Sequence, residues 1–105
     1  MILFNALGTH RPNTEAELRA MVGDAIFERR RIVQNDTFDP ATQVRVGVTS
    51  KGHETWINAE LMACDLKIGI GCITAHVHVG FGGGAKIILP GVAGIETINQ
   101  FHNQL

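Results

Sequence analysis

The sequence predicts an α/β domain whose layers are short strands and short helices, on three observations. Apolar residues alternate with polar ones over several short stretches, helix start and stop signals fall between those stretches, and glycines cluster after a strand. The 105 residues suit one domain or a piece of one. With 45% apolar and 18% charged residues, the chain is suited to a packed core rather than a disordered tail.

The elements follow in order. Ile2-Leu3-Phe4 reads as a strand that begins at the first residue, as if the chain were cut there. Gly8-Thr9-His10-Arg11-Pro12-Asn13 is a loop, and Thr14 with Glu17 has capping-box spacing, so a helix starts there. Leu18, Met21 and Val22 form its buried stripe, and Gly23 is placed to end it. A second short helix follows Asp24, then a strand at Arg31-Ile32-Val33 and a loop at Pro40. Val44, Val46 and Val48 alternate with Arg45, Gly47 and Thr49, the period of a strand with one buried face. After a turn at Lys51-Gly52, Glu54-Thr55-Trp56-Ile57 reads as a strand and Asn58 as the cap of a helical turn through Met62. Leu66, Ile68, Ile70 and Cys72 alternate with Lys67, Gly69 and Gly71, which predicts a strand with bare backbone that something approaches closely. Beyond the glycine cluster and Pro90-Gly91, Ile95, Ile98 and Phe101 define a last helix that holds His102.

Charge excludes some functions. Nine basic against ten acidic side chains leave a net charge of −1, too weak a field to hold a phosphate backbone or anionic headgroups, so neither nucleic acid nor a membrane is an expected partner. Arg29-Arg30-Arg31 reads as a solvated helix end. No apolar stretch approaches the ~20 residues needed to span a bilayer, and Met1-Ile2-Leu3-Phe4 lacks the charged start of a signal peptide, so a cytoplasmic protein is expected. Cys64 and Cys72 read as buried thiols rather than a disulfide framework.

Chemistry concentrates in the histidines and the glycine cluster. Glycines let backbone N–H groups approach an anion, so Gly80-Phe81-Gly82-Gly83-Gly84-Ala85-Lys86 invites a phosphate. A Walker loop is excluded because Ala85 stands where Gly must precede Lys86. Gly80-x-Gly82-x-x-Ala85 satisfies only the loose dinucleotide pattern, without the acidic residue ~20 positions onward. Lys86 could be an activated nucleophile, or else a point charge for a phosphate or a plainly exposed side chain, and the residues alone leave these open. Of the five histidines, His10, His76, His78 and His102 fall at loops or element ends, and His53 reads as solvent-facing in a turn. His76-x-His78 has the spacing of a metal pair but no third ligand fixed beside it.

Taken together, Gly8-Thr9-His10-Arg11-Pro12, the run from His76 to Lys86, Leu89-Pro90-Gly91 and His102 resemble the nickel-dependent lactate racemase family over essentially the whole chain. The resemblance implies a Rossmann-like layered domain with a mostly parallel sheet flanked by short helices, incomplete over 1–105. It implies a 2-hydroxy acid racemase or epimerase that uses the nickel pincer nucleotide, a pyridinium mononucleotide gripping nickel through two sulfur arms and a ring carbon. On this resemblance Lys86 is the covalent cofactor anchor, Gly80, Gly82, Gly83 and Gly84 cradle the cofactor, and His102 completes the nickel coordination. His10 and His76 exchange the hydroxyl proton of a small 2-hydroxy acid, and no role carries over to His78 or His53. Gly82 replaces a usual Ser, Thr74-Ala75 stand where Pro is common, and Gln34-Asn35-Asp36 lacks a frequent His, which marks a divergent branch. Family members are several times longer, so the chain reads as a central fragment of the N-terminal cofactor-binding domain, inactive alone, that self-associates or packs against the remainder. The alternatives are a non-catalytic nucleotide-binding or interaction module and a simple zinc site.

Overall fold

The structure is a computed structural model and describes residues 1–103. Strand β1 (Ile2–Asn5) is followed by helices α1 (Glu15–Val22) and α2 (Asp24–Arg29), then by β2 (Arg31–Gln34), which lies parallel to β1 with Ile2 opposite Arg31 and Asn5 opposite Gln34. The capping box at α1 is complete: Glu17 N–H donates to Thr14 Oγ1 at 3.2 Å, and Glu17 Oε2 accepts from Thr14 N–H at 2.9 Å. Gly23 ends α1 at φ 84°, a conformation open to glycine at little cost. Leu18 is buried and Val22 half-buried, but Met21 is 61% exposed because α1 has no cover on that side among the described residues. The arginine run divides: Arg29 closes α2, while Arg31 opens β2 and forms a two-bond ion pair with Glu60.

A short 3-10 turn, Pro40–Thr42, leads into β3 (Gln43–Val48), which forms an antiparallel hairpin with β4 (Glu54–Asn58). The register slips between Arg45 and Gly47, a bulge at Val46 that breaks the expected alternation, and Val44, Val46 and Val48 are 39%, 44% and 51% exposed. The expected buried face of β3 is therefore absent, since no second layer of the described residues lies over it. Asn58 caps α3 (Ala59–Ala63) through its side chain. From Cys64 to Ile73 no strand forms, contrary to the alternation of Leu66, Ile68, Ile70 and Cys72. A strand needs a hydrogen-bonded neighbour, and among the described residues this segment has none. Cys64 is half-buried and Cys72 exposed, so neither is the buried thiol expected.

Two three-residue strands, β5 (Thr74–His76) and β6 (Gly80–Gly82), pair antiparallel, and a 3-10 turn at Gly84–Ile87 precedes α4 (Ile95–His102). The described residues thus form three two-stranded sheets, of which only β1·β2 is parallel. The chain is α/β, but the mostly parallel sheet is met at that one pair.

The core positions α4. Val92, Ala93 and Ile98 are 2%, 0% and 1% exposed and pack with Ile57, with Ala6, Leu61 and Leu89 around them. Burying Ile98 contributes about 1.5–3 kcal/mol. The segment before α4 is threaded into place by backbone bonds, Asn58 N–H to Val92 O at 2.9 Å and Gly94 N–H to Trp56 O at 3.0 Å. Buried side chains complete the seam: Thr37 Oγ1 and Asn35 Nδ2 both donate to Ala93 O, and Asn58 Nδ2 donates to Asn35 Oδ1. Polar groups taken from water are thereby satisfied, and the start of the helix that ends at His102 is fixed.

Candidate active site

The His10 loop is built around Glu17. Its carboxylate accepts from Arg11 Nη1 and Nη2 at 2.9 and 2.7 Å, from Asn13 Nδ2 at 3.0 Å and from Thr14 N–H at 2.9 Å. Arg11 foremost, then the Thr14 and Asn13 donors, lower the Glu17 pKa to about 2. The same pairing raises the Arg11 pKa and commits its guanidinium to Glu17. His10 is exposed on the rim of a hollow of about 360 Å³ lined also by Ala6, Leu7, Arg11 and Asn13. The sequence marks Glu17 as a cap only; an acid six positions after Arg11 is the signal of its second use.

The glycine segment holds His76 and Lys86. His76 ends β5 opposite Gly80, and its half-buried ring lies 5.8 Å, centroid to centroid, from that of His78. Its pKa is lowered from the ordinary 6.5, first by burial and then by the positive charges of Lys86, His78 and His102. Gly83, at φ 82°, lies so close to the Cys72 carbonyl that a Cβ there would collide with it, and a Cβ at Gly69 would collide with Ile87. The close approach expected at the alternating glycines is real, although the strand is not. His10 reaches the same region through the main chain: Gly91 N–H donates to Lys86 O at 3.0 Å, and Gly91 O accepts from Gly8 N–H at 2.9 Å.

The structure therefore places Lys86 and His102 within electrostatic reach of His76 and ties the His10 loop to the Lys86 loop. His53 belongs to the β3–β4 turn; it is half-buried rather than solvent-facing, because its backbone bonds to Thr49 fold the turn over it.

The family model of the lactate racemase N-terminal domain matches residues 1–105. The chain belongs to this family. It is 37% identical to the lactate racemase of Lactiplantibacillus plantarum over 98 residues, 93% of this chain and 23% of that protein. It is 33% identical to the lactate racemase of Thermoanaerobacterium thermosaccharolyticum over 97 residues, 92% of this chain and 23% of that protein. The lactate racemase apoprotein structure from Thermoanaerobacterium thermosaccharolyticum superposes with a TM-score of 0.87 at 32% identity, over 92% of this chain and 23% of that one. The chain thus spans about a quarter of the length of these relatives.

As a member of the lactate racemase N-terminal domain family, the chain can be tested for fit to a nickel-bearing nucleotide. Among the described residues no three His, Cys, Asp or Glu side chains gather to hold a metal by themselves. Positive-φ Gly80 and Gly84 face open space, with nothing within 4 Å of a notional Cβ, whereas Gly83 and Gly82 face the chain at Cys72 and Thr74. The turn that starts at Gly84 leaves its first N–H groups without partners inside the turn, next to Lys86. These residues fit a phosphate-bearing group beside a lysine. No helix of the described residues is long and apolar enough to cross a membrane.

Proposed function

We propose that this chain is the cofactor-binding part of a 2-hydroxy acid racemase or epimerase, with lactate or a close relative as substrate. The observation that carries the reading is the grouping of His76, Lys86 and His102, with the His10 loop joined to the Lys86 loop through Gly8 and Gly91. The α-carbon hydrogen of a 2-hydroxy acid is barely acidic, so inversion proceeds through hydride removal to a planar 2-oxo acid and its return to the other face. The nickel pincer nucleotide, when bound, supplies the hydride acceptor and donor. Lys86 would hold it covalently, Gly80 and Gly84 would give it open access to the main chain while Gly82 and Gly83 pack the loop against Thr74 and Cys72, and His102 would offer one nitrogen to the nickel. His10 and His76 handle the hydroxyl proton.

The protein is cytoplasmic on this reading. The remainder of the whole protein covers the apolar side chains exposed at Leu66, Ile68, Ile70, Ile73, Val77 and Phe81 and extends β1·β2 into a mostly parallel, Rossmann-like sheet. That exposed row also favours a second reading, an interaction or nucleotide-binding module without turnover. One experiment separates the two. The full-length, cofactor-matured protein is digested and the Lys86 peptide weighed, while lactate racemisation is followed by chiral chromatography. A mass adduct on Lys86 with racemisation supports the enzyme; an unmodified Lys86 with no racemisation supports the module. The 105-residue chain alone is expected to be inactive.

A further inference from the structure

The strand ends that meet the His10 loop do more than close a sheet. Asn5 ends β1 and Gln34 ends β2, and the parallel register sets them opposite each other. With Glu17 they engage every polar group of Asn13. Gln34 Oε1 accepts from Asn13 N–H at 2.7 Å and Gln34 Nε2 donates to Asn13 O at 3.0 Å, so the side-chain amide pairs with the main chain as a neighbouring strand would. Asn5 Nδ2 donates to Asn13 Oδ1 at 2.7 Å and to Gln34 Oε1 at 3.1 Å, and Asn13 Nδ2 donates to Glu17 Oε2 at 3.0 Å. Asn5, Asn13, Glu17 and Gln34 are all half-buried, and a fully bonded network shielded from water rigidifies what it holds.

His10 thus lies between two fixed points. Upstream, His10 N–H donates to Leu7 O at 3.0 Å and Gly8 N–H to Gly91 O at 2.9 Å. Downstream, the Pro12 ring locks φ and Asn13 is held as described. We propose that Gln34, seated by Asn5, is a positioning residue for His10: by gripping the Asn13 main chain at two points it fixes the downstream end of the loop that presents the imidazole at the rim of the hollow. The proposal rests on the reading of His10 given above and adds a side chain that acts through the loop. With Gln34 gone, only the Asn13 side chain stays bonded to its neighbours, and the main chain is released to shift. Proton transfer needs the imidazole within hydrogen-bond reach of the hydroxyl, so a shift of about 1 Å costs about 10²-fold in turnover while leaving substrate binding largely as it was.

The full-length, cofactor-matured protein tests this. In Gln34→Leu, which keeps the bulk and removes both bonds, kcat for lactate racemisation is expected to fall about 10–10²-fold with KM within about threefold, while hydrogen exchange at the Asn13 amide accelerates. Gln34→Glu keeps an acceptor for Asn13 N–H but sets an oxygen against Asn13 O; it should lose kcat in the same way, and it serves if Gln34→Leu folds poorly. Asp39→Ala, which removes the side-chain cap of the Pro40–Thr42 turn, controls for lost stability and should keep the wild-type kcat. The deciding readout is the combination with His10→Ala. If Gln34 acts through His10, adding Gln34→Leu to His10→Ala costs nothing further, whereas a merely structural role multiplies the two losses. Multiplied losses, an unchanged kcat, a risen KM at unchanged kcat, or an Asn13 amide that stays protected in Gln34→Leu each overturn the proposal. Unchanged racemisation in His10→Ala would instead remove His10 from the reaction, a failure of the underlying reading.

Discussion

Residues 1–63 with 90–103 contrast with residues 64–89. The first region contains every buried residue described, including Leu18, Ile57, Val92, Ala93 and Ile98, and Asn35, Thr37 and Asn58 bond inner polar groups there, while the buried Gln43 Oε1 has no partner among the described residues. The second contains none, and its large apolar side chains stand open, Ile70 at 89% and Val77 at 93%. Yet the second holds His76, Lys86 and the glycine cluster. The packed region supplies stability and holds His10 and the helix of His102; the open region holds the side chains to which the proposed function assigns chemistry.

The largest effect that sharpens this contrast is at Lys86. In the full-length protein, Lys86→Ala is expected to cut racemisation by at least about 10³-fold, the scale of losing a covalent catalytic group. Its melting temperature should stay near wild type, because the lysine packs against no core. A melting loss as large as that of a core truncation would break the comparison. Ile98→Ala is the reverse case: about 2–5 kcal/mol of stability lost in urea denaturation of the 105-residue chain, from a side chain 1% exposed.

Ile68→Ser with Ile70→Ser sharpens it further. In the 105-residue chain the pair should raise solubility and leave the unfolding midpoint unchanged, whereas in the full-length protein it should lower stability by about 1–3 kcal/mol per residue if those side chains are covered there. Smaller again is Thr14→Ala, expected to cost about 1 kcal/mol in urea by removing the α1 cap. The acid limb follows from Glu17. Its pKa in the fold is about 2 against an ordinary 4.5, so the unfolded chain binds more protons between those values. Stability from Glu17 is present above about 4.5 and is lost as the pH falls toward 2, and Glu17→Gln should flatten that limb in a pH series of melts.

Local signals were legible and distant ones were not. Thr14, Glu17 and Gly23 act on groups within one helical turn, so their spacing alone predicts α1 and its end. The β3–β4 hairpin and the helix that holds His102 are equally local. By contrast, alternation at Leu66–Cys72 records which face a strand would bury but not whether a neighbour is present to pair with it. The same limit explains the exposed valines of β3. Resemblance identified His10, His76, Lys86 and His102, while their mutual placement depends on Gly8, Gly91 and the Val92–Gly94 seam, which no short pattern marks. The Glu17 clamp on Arg11 is visible only in atomic contacts.

The central claim is that Lys86 and His76 share one site, and a proton NMR titration of His76 in the full-length, cofactor-free protein tests it most directly. In wild type the ring should titrate below the ordinary 6.5, and in Lys86→Gln, with the neighbouring positive charge gone, its midpoint should rise. A His76 midpoint that does not move when Lys86 loses its charge would contradict the account.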